Sequence, residues 1–201
     1  TVQAGYISGA GVRCDGDVIV LKEILQSDVR SHGAVRVEAG RIVGGQVVAL
    51  GGIVVAEAGS SAGIPTLFAP GEDYALAEFI AARERESSEL RTKCDALRVK
   101  LKPLADLRGR LTAGQKRTVS ELASEIRAAE TRQAQIRQEI DERVTRVQAS
   151  ACREVRVLKE LHPHVTFRIG KESLTTETPR RGPVVVRLDE SGGIAVLSET
   201  G

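Results

Sequence analysis

The chain has 201 residues, of which 41% are hydrophobic, yet it contains only two Tyr, three Phe and no Trp. This shortage of aromatic side chains argues against proteins that bind nucleic-acid bases by stacking. With 29 Lys and Arg against 27 Asp and Glu, the net charge of +2 is too small for a protein that binds polyanions without specificity.

Three cysteines, Cys14, Cys94 and Cys152, lie far apart in the sequence. An odd number at such wide spacing does not form a disulfide framework, so we expect free thiols and a reducing compartment. The sequence has neither an apolar run long enough for a transmembrane helix nor a signal peptide at its first residues. We therefore expect a cytoplasmic protein and, because Met is absent, a fragment of a longer chain.

Residues 1–72 hold 13 of the 20 glycines and contain an internal repeat. Residues 12–20 (VRCDGDVIV) align with residues 29–37 (VRSHGAVRV) at an offset of 17, and a looser third copy follows at 43–49. Each copy is too short to bury an apolar face alone, so the copies must stack. Short Val-rich strands with glycine at the corners predict the parallel coils of a β-solenoid.

An antiparallel sandwich built from hairpins is the alternative interpretation of residues 1–72. Hairpins with two-residue turns favour Asn-Gly or Asp-Gly pairs. Asp15-Gly16 is the one such pair between two good strands in this segment. The sequence therefore favours the solenoid.

Residues 73–153 change to Leu, Ala, Arg and Glu, with apolar residues at the alternating 4-3 spacing of a coiled coil. The first line of such positions is Ile80, Arg83, Ser87, Leu90, Cys94, Leu97, Leu101 and Leu104. The second line is Val119, Leu122, Ile126, Ala129, Gln133, Ile136, Ile140, Arg143 and Val147. The short connection between the two lines predicts a long antiparallel coiled-coil hairpin.

Local signals place the ends and weak points of these helices. Thr112 and Gln115 form a capping box that begins the second helix. Pro103 is expected to kink the first helix or to begin its last turn. We also expect Arg83 and Ser87, the polar members of the first line, to weaken the pairing of the helices where they lie.

A hairpin that folds back returns the chain to its starting point. Residues 154–201 are again Val-rich, with Gly and Pro between short runs. We therefore predict three parts: solenoid coils at 1–72, the hairpin at 73–153, and strands that complete the solenoid at 154–201.

Several short motifs around the hairpin resemble the flagellar assembly protein A family. They are Gly63-Ile64-Pro65-Thr66, Ala69-Pro70-Gly71-Glu72-Asp73, Val155-Arg156-Val157 and the run Leu161–Gly170 (LHPHVTFRIG). The resemblance covers the whole chain and implies a right-handed parallel β-helix with a coiled-coil excursion, akin to bactofilins and to the C-terminal domain of MinC. It also implies a structural role in bacterial flagellar or cell-pole assembly. One departure is His164, where the family often has Gly.

No residue set typical of catalysis, cofactor binding or metal binding stands out. His162 and His164 supply two ligands, whereas a zinc site uses three or four protein ligands. The glycine-rich stretches match neither a Walker loop nor a dinucleotide fingerprint. We predict a non-enzymatic scaffold without a cofactor. An enzyme with a site between the base of the hairpin and the C-terminal strands is the weakest alternative.

Basic residues cluster where the two helices are joined, with Asp106 as the one acidic residue among them. They are Lys100, Lys102, Arg108, Arg110, Lys116 and Arg117. The ordinary interpretation is a solvated hairpin end, and the functional one is a surface that binds an anionic partner. We expect protein partners before a membrane surface or nucleic acid, together with self-association through an end of the solenoid, the N-terminal end first.

Overall fold

The computed structural model describes residues 1–105 and 111–198. Six strands precede two helices, and further strands follow. They are β1 (Val2–Ser8), β2 (Gly11–Cys14), β3 (Val18–Ser31), β4 (Val35–Ala49), β5 (Ile53–Ala58), β6 (Thr66–Pro70), α1 (Leu76–Ala105), α2 (Ala113–Ser150), β7 (Val155–Leu161), β8 (Val165–Ile169), β9 (Glu172–Thr175), β10 (Arg180–Arg181), β11 (Val184–Leu188) and β12 (Ile194–Ser198). The chain divides into two compact units, one formed by Thr1–Tyr74 and the chain from Val147 onward, the other by Ala75–Arg146.

The first unit is a β-solenoid of about four turns. Strands β1 and β2 pair with the two ends of β3, and β3 pairs along its length with β4. The next pass is formed by β5 and β6, which pair with the two ends of β4, and the last by β7 and β8, which pair with β5 and β6. Each of these pairings is parallel, unlike the hairpin pairings that an antiparallel sandwich requires.

The register of β2 and β3 confirms the predicted repeat. Val12 lies opposite Val29, and Val18 opposite Val35, so both contacts carry the offset of 17 read from the sequence. In the third copy Val47 lies opposite Val29, an offset of 18. One extra residue has therefore entered β4.

Inward-facing side chains from successive passes form ladders that fill the solenoid. Three of these ladders are Val18, Val35, Ile53 and Val155; Ile24, Ile42, Ala58 and Leu161; and Val29, Val47, Phe68 and Phe167, all at most 1% exposed. The rings of Phe68 and Phe167 stack at 5.7 Å between centroids. Each fully buried side chain of this size contributes about 1.5–3 kcal/mol, so the ladders are the main source of stability in this unit.

The last four strands do not continue the parallel stack. β9 pairs antiparallel with β8, β10 and β11 pair antiparallel with β7, and β12 pairs antiparallel with β11. The connection from Ile169 to Glu172 is two residues long and includes Gly170 at φ +65°. Such a tight turn reverses the chain, whereas a parallel partner needs a much longer crossover. The Val-rich pattern of residues 154–201 predicts strands that complete the solenoid, and it contains no signal of these reversals.

The corner at His164 adopts the left-handed backbone conformation that usually favours glycine, with φ +58°. This is the position at which the resemblance noted above places Gly. A Cβ added to Gly63 would lie 2.9 Å from Cδ2 of His164, so the imidazole occupies the space next to that glycine. The larger residue is accommodated because its neighbour has no side chain.

The second unit contains α1 and the part of α2 up to Arg146. All positions of the two predicted lines are buried or half-buried, whereas most of the other helical positions are exposed. The capping box is confirmed, since Gln115 Oε1 accepts the backbone N–H of Thr112 at 2.9 Å and Thr112 Oγ1 accepts that of Gln115 at 3.3 Å. Pro103 lies inside α1, which ends at Ala105. Neither helix, as far as the chain is described, has a stretch apolar enough to cross a bilayer.

The extra residue in β4 predicts a specific sensitivity at Gly40. Gly40 lies in the stretch of β4 where the register with β3 shifts, and a Cβ on Gly40 would be only 1.6 Å from the Lys22 carbonyl oxygen. We expect Gly40→Ala to lower the free energy of unfolding by about 3 kcal/mol or more, because backbone must move to make room. Gly11→Ala is the matched control, since its Cβ meets nothing within 4 Å. Equal urea midpoints for the two variants would contradict this account of the bulge.

Candidate functional site

Four of the six predicted basic residues lie in the described part of the helices. Lys100 and Lys102 lie near the end of α1, and Lys116 and Arg117 lie near the start of α2. All four side chains are exposed. We call these four residues the helix-tip surface. The other two predicted residues, Arg108 and Arg110, lie outside the described residues.

Within the described ranges 1–105 and 111–198, no ion pair between α1 and α2 includes a member of the helix-tip surface. Lys93 Nζ lies 3.3 Å from Glu125 Oε2, and Arg98 Nη2 lies 2.7 Å from Glu130 Oε1. The described stretches 99–105 and 111–120 contain no Asp or Glu. The four positive charges of the helix-tip surface therefore lie in described stretches that contain no acidic residue.

The helix dipoles act differently on the two halves of this surface. Lys102, in the last turn of α1, complements the negative end of the helix dipole. Lys116 and Arg117 lie near the positive end of α2, whose first turn has no acidic residue. Arg117 pairs with Glu121 at 3.1 Å while its side chain is 85% exposed, so this contact is weak. The start of α2 is therefore a region of positive potential.

A ring of four charges, which the sequence analysis did not foresee, joins α1 to α2 further along the pair. Arg83 lies 2.6 Å from Glu86 and 3.1 Å from Glu139, and Arg132 lies 2.8 Å from Glu86 and 2.6 Å from Glu139. The Arg83–Glu139 contact is an ion pair rather than a hydrogen bond, because the Nε–H of Arg83 finds no aligned acceptor there. Each guanidinium thus contacts both carboxylates.

The ring replaces the weak point that we expected at Arg83 and Ser87. The carbonyl of Ser87 accepts a hydrogen bond from Gln133 Nε2 at 3.2 Å, and the Arg83 guanidinium lies 5.4 Å from the centre of the Phe79 ring. Polar residues at these positions are therefore paired across the two helices. Their glutamate partners could not be identified from the heptad lines, because neither Glu86 nor Glu139 belongs to a line.

The ring shifts the protonation equilibria of its members. Hydrogen bonds donated by Arg132, and then by Arg83, hold the pKa of the Glu86 carboxyl below its ordinary value. Hydrogen bonds to Glu86 and Glu139 raise the pKa of the Arg132 guanidinium above its usual range. Both shifts favour the charged forms of Glu86 and Arg132.

A second cluster that the sequence analysis missed lies on the solenoid around His32. Its ring nitrogens contact Asp15 and Asp73, and its ring stacks on Tyr74 with 4.5 Å between centroids. The offset of 17 would have paired Asp15 with His32. Asp73 and Tyr74 lie outside the repeat, and no sequence signal connected them to His32.

Of the cysteines, Cys14 lies beside the His32 cluster, since its carbonyl accepts the backbone N–H of His32 at 2.9 Å. Cys94 is buried between the helices, Cys14 is half-buried opposite Ser31, and Cys152 is exposed. Among residues 1–105 and 111–198 no three or more His, Cys, Asp or Glu side chains are grouped closely enough to hold a metal ion. His162 and His164 remain without an assigned chemical role.

Comparison with known proteins gives one match. The family model described as the Flagellar Assembly Protein A beta solenoid domain matches residues 1–194. Neither the comparison with curated proteins nor that with solved structures found a match. Since the matched residues include both the solenoid strands and the two helices, the family model accounts for nearly the whole chain.

The lowered pKa of Glu86 predicts a pH-dependent contribution to stability. A carboxyl with a lowered pKa stabilises the fold above the ordinary pKa of Glu, and the contribution is lost as the pH falls through the lowered value. We therefore expect Glu86→Gln to lower the thermal unfolding midpoint at pH 7 but to have little effect near pH 2. Glu89→Gln, an exposed change on the same helix, is the control. A midpoint for Glu86→Gln that matches this control at pH 7 would show that the ring does not stabilise the helices.

Proposed function

The chain belongs to the flagellar assembly protein A β-solenoid domain family, and from this premise we propose that it is a non-enzymatic scaffold of flagellar assembly. Membership in the family indicates a structural role related to flagellar assembly in general. Beyond that, we propose that the solenoid is a rigid body, that the two helices dock a partner, and that the protein acts in the bacterial cytoplasm.

The finer architecture that we propose is a right-handed parallel β-helix with an antiparallel coiled-coil hairpin. Its three parts are 1–72, 73–153 and 154–201. The parallel strand pairs support the right-handed β-helix, because crossovers between parallel strands of one sheet are right-handed in nearly all proteins. The antiparallel hairpin is supported by two contacts: Ser87 contacts Gln133, and Lys93 pairs with Glu125. Between these contacts the residue numbers rise along α1 and fall along α2, as in an antiparallel pair.

The observation that carries the scaffold proposal is the filled interior of the solenoid. The ladders of inward side chains continue from β3 to β7 or β8 and are almost fully buried. An interior packed with Val, Ile and Phe is a core rather than a cavity for a substrate. A protein of this kind offers outer surfaces and strand edges to its partners, as scaffolds do.

We propose that copies of the chain associate through the β1 end of the solenoid. In the described part of the chain β1 and β2 each pair with β3 alone, which leaves one edge of each strand without a partner strand. Tyr6 on β1 and Leu21 on β3 are 69% and 68% exposed. Unpaired strand edges beside exposed apolar side chains favour association with another strand.

This proposal predicts oligomers whose formation depends on the β1 end. Light scattering on the purified chain should give a mass above that of one copy, rising with concentration. Leu21→Lys should shift the equilibrium towards the single chain by about tenfold or more, because it adds a charge to an apolar contact. Val99→Lys, which changes an equally exposed Val on α1, should leave the mass unchanged. A single-chain mass at high concentration would refute the proposal.

A second candidate function is the binding of an anionic partner by the helix-tip surface. It is favoured by the exposed Lys100, Lys102 and Lys116, which lie in described stretches that contain no Asp or Glu. A cluster of one sign attracts partners of the opposite sign and binds them in a salt-dependent manner. An acidic protein surface is the partner we favour over an anionic membrane or nucleic acid.

Charge reversal distinguishes the two functions. We expect the double variant Lys116→Glu with Arg117→Glu to lose the partner that the unchanged chain captures from native lysate. What the variant still captures should not depend on added salt. The variant should form the same oligomer as the unchanged chain. Arg85→Glu with Arg91→Glu reverses two exposed charges elsewhere on α1 and serves as the control. If both double variants capture the same proteins as the unchanged chain, the helix-tip surface is not the binding site. Vesicles with phosphatidylserine and a nucleic-acid column test the two other partners.

A further inference from the structure

The strand β1 has a free edge without the usual protection against pairing. As far as the strands are described, it pairs with β3 alone, so its second edge has no partner strand. Edge strands usually carry a charged residue or a proline that blocks association with another strand. The seven residues of β1 (VQAGYIS) include neither. Two such strands can therefore pair with each other without placing like charges opposite one another.

The side chains of β1 change their alternation where the strand turns a corner of the solenoid. Before the corner, Val2 and Ala4 pack against the core, and after it the next residue in the core is Ile7. The two residues between them, Gly5 and Tyr6, are exposed. The corner of β1 therefore consists of Gly5 and Tyr6, and its centre lies between them.

This corner selects one antiparallel register for two copies of β1. The strands can pair on both sides of the bend only where their corners coincide. Ala4 of one copy then lies opposite Ile7 of the other, so that inward side chains meet inward side chains. The same register places Gly5 of each copy opposite Tyr6 of the other. A two-fold axis through the centre of the corner exchanges the two copies.

The pairing of Gly5 with Tyr6 matches an aromatic ring with an open groove. Tyr6 is 69% exposed in the single chain. A Cβ added to Gly5 would meet nothing within 4 Å, and the groove beside it, of about 330 Å³, is lined in part by Ile19 and Leu21. A ring that packs over a cross-strand glycine covers the backbone that the glycine exposes. Leu21, which is 68% exposed, borders the same groove and would be covered by the same ring.

We propose that two copies of the chain form a closed dimer in which the β1 strands pair antiparallel and the Tyr6 ring of each copy packs into the Gly5 groove of the other. This inference rests on the association proposed above. It specifies a second copy of the chain as the partner and the pair Gly5–Tyr6 as the contact. Because both copies use the same patch, the free edge of each β1 is occupied and the assembly ends at two chains.

Substitutions on the two sides of the contact test it. Tyr6→Ala removes the ring, and Gly5→Val places a side chain in the groove, where its Cβ meets no atom of its own chain within 4 Å. Each should raise the dissociation constant of the dimer, measured by sedimentation over a dilution series, about tenfold or more. Ser8→Ala, at an exposed residue outside the groove, and Gly11→Val, whose Cβ is equally free, are the matched controls and should leave the constant unchanged.

Disulfide trapping of the register provides a second measurement. The proposed pairing places Gln3 of each copy opposite Ser8 of the other, at a Cα separation of about 4.5–5.5 Å that a disulfide can span. The starting chain carries Cys14→Ser and Cys152→Ser, which leaves the buried Cys94 as its remaining thiol. In that chain the double variant Gln3→Cys with Ser8→Cys should form a covalent dimer on mild oxidation. Each of the two single variants should remain uncross-linked, because neither position faces itself across the axis.

The results distinguish this inference from the proposed association. A mass of one chain at every concentration would refute both. If the chain associates, three results would each overturn the Gly5–Tyr6 contact and leave the association standing. They are an assembly larger than two chains, Tyr6→Ala and Gly5→Val variants that behave like their controls, and a double cysteine variant that cross-links no more than the single ones.

Discussion

The solenoid unit depends on the fixed distance between neighbouring strands, about 4.8 Å. At that spacing, equivalent inward side chains of successive passes must touch, and each must fit between the ones above and below. Val and Ile meet this requirement and supply most of the ladder residues, and where Phe68 lies opposite Phe167 the two rings stack. The bulge at Gly40 obeys the same constraint, because it changes the offset from 17 to 18 while the inward positions remain aligned.

The helix unit is held together by a different balance. Its seam combines apolar residues such as Cys94 and Ile136 with the four-charge ring. Partly exposed ion pairs add little to stability in general, but four charges on two helices meet in only one alignment. The ring therefore contributes more to the register of α1 against α2 than to the strength of their association.

Repetition explains which features could be predicted from the sequence. The offset of 17 predicted the neighbours Cys14 and Ser31, and the 4-3 spacing predicted the buried lines of both helices, because each repeat unit meets its neighbour in the same way. The capping box was predictable for a different reason, because its two residues, Thr112 and Gln115, lie three positions apart in the sequence. The contacts of Asp73 and the antiparallel strands β9–β12 were not, because they join segments that share no period and their partners are selected only by packing in three dimensions.

The antiparallel strands at the far side of the stack have a consequence for how such a body can change in evolution. Each strand has two edges, and β7 and β8 use one edge to pair with β5 and β6 and the other to pair with β11 and β9. A coil duplicated directly after β8 would therefore have to displace these antiparallel strands. A coil inserted between earlier passes would meet parallel neighbours on both sides.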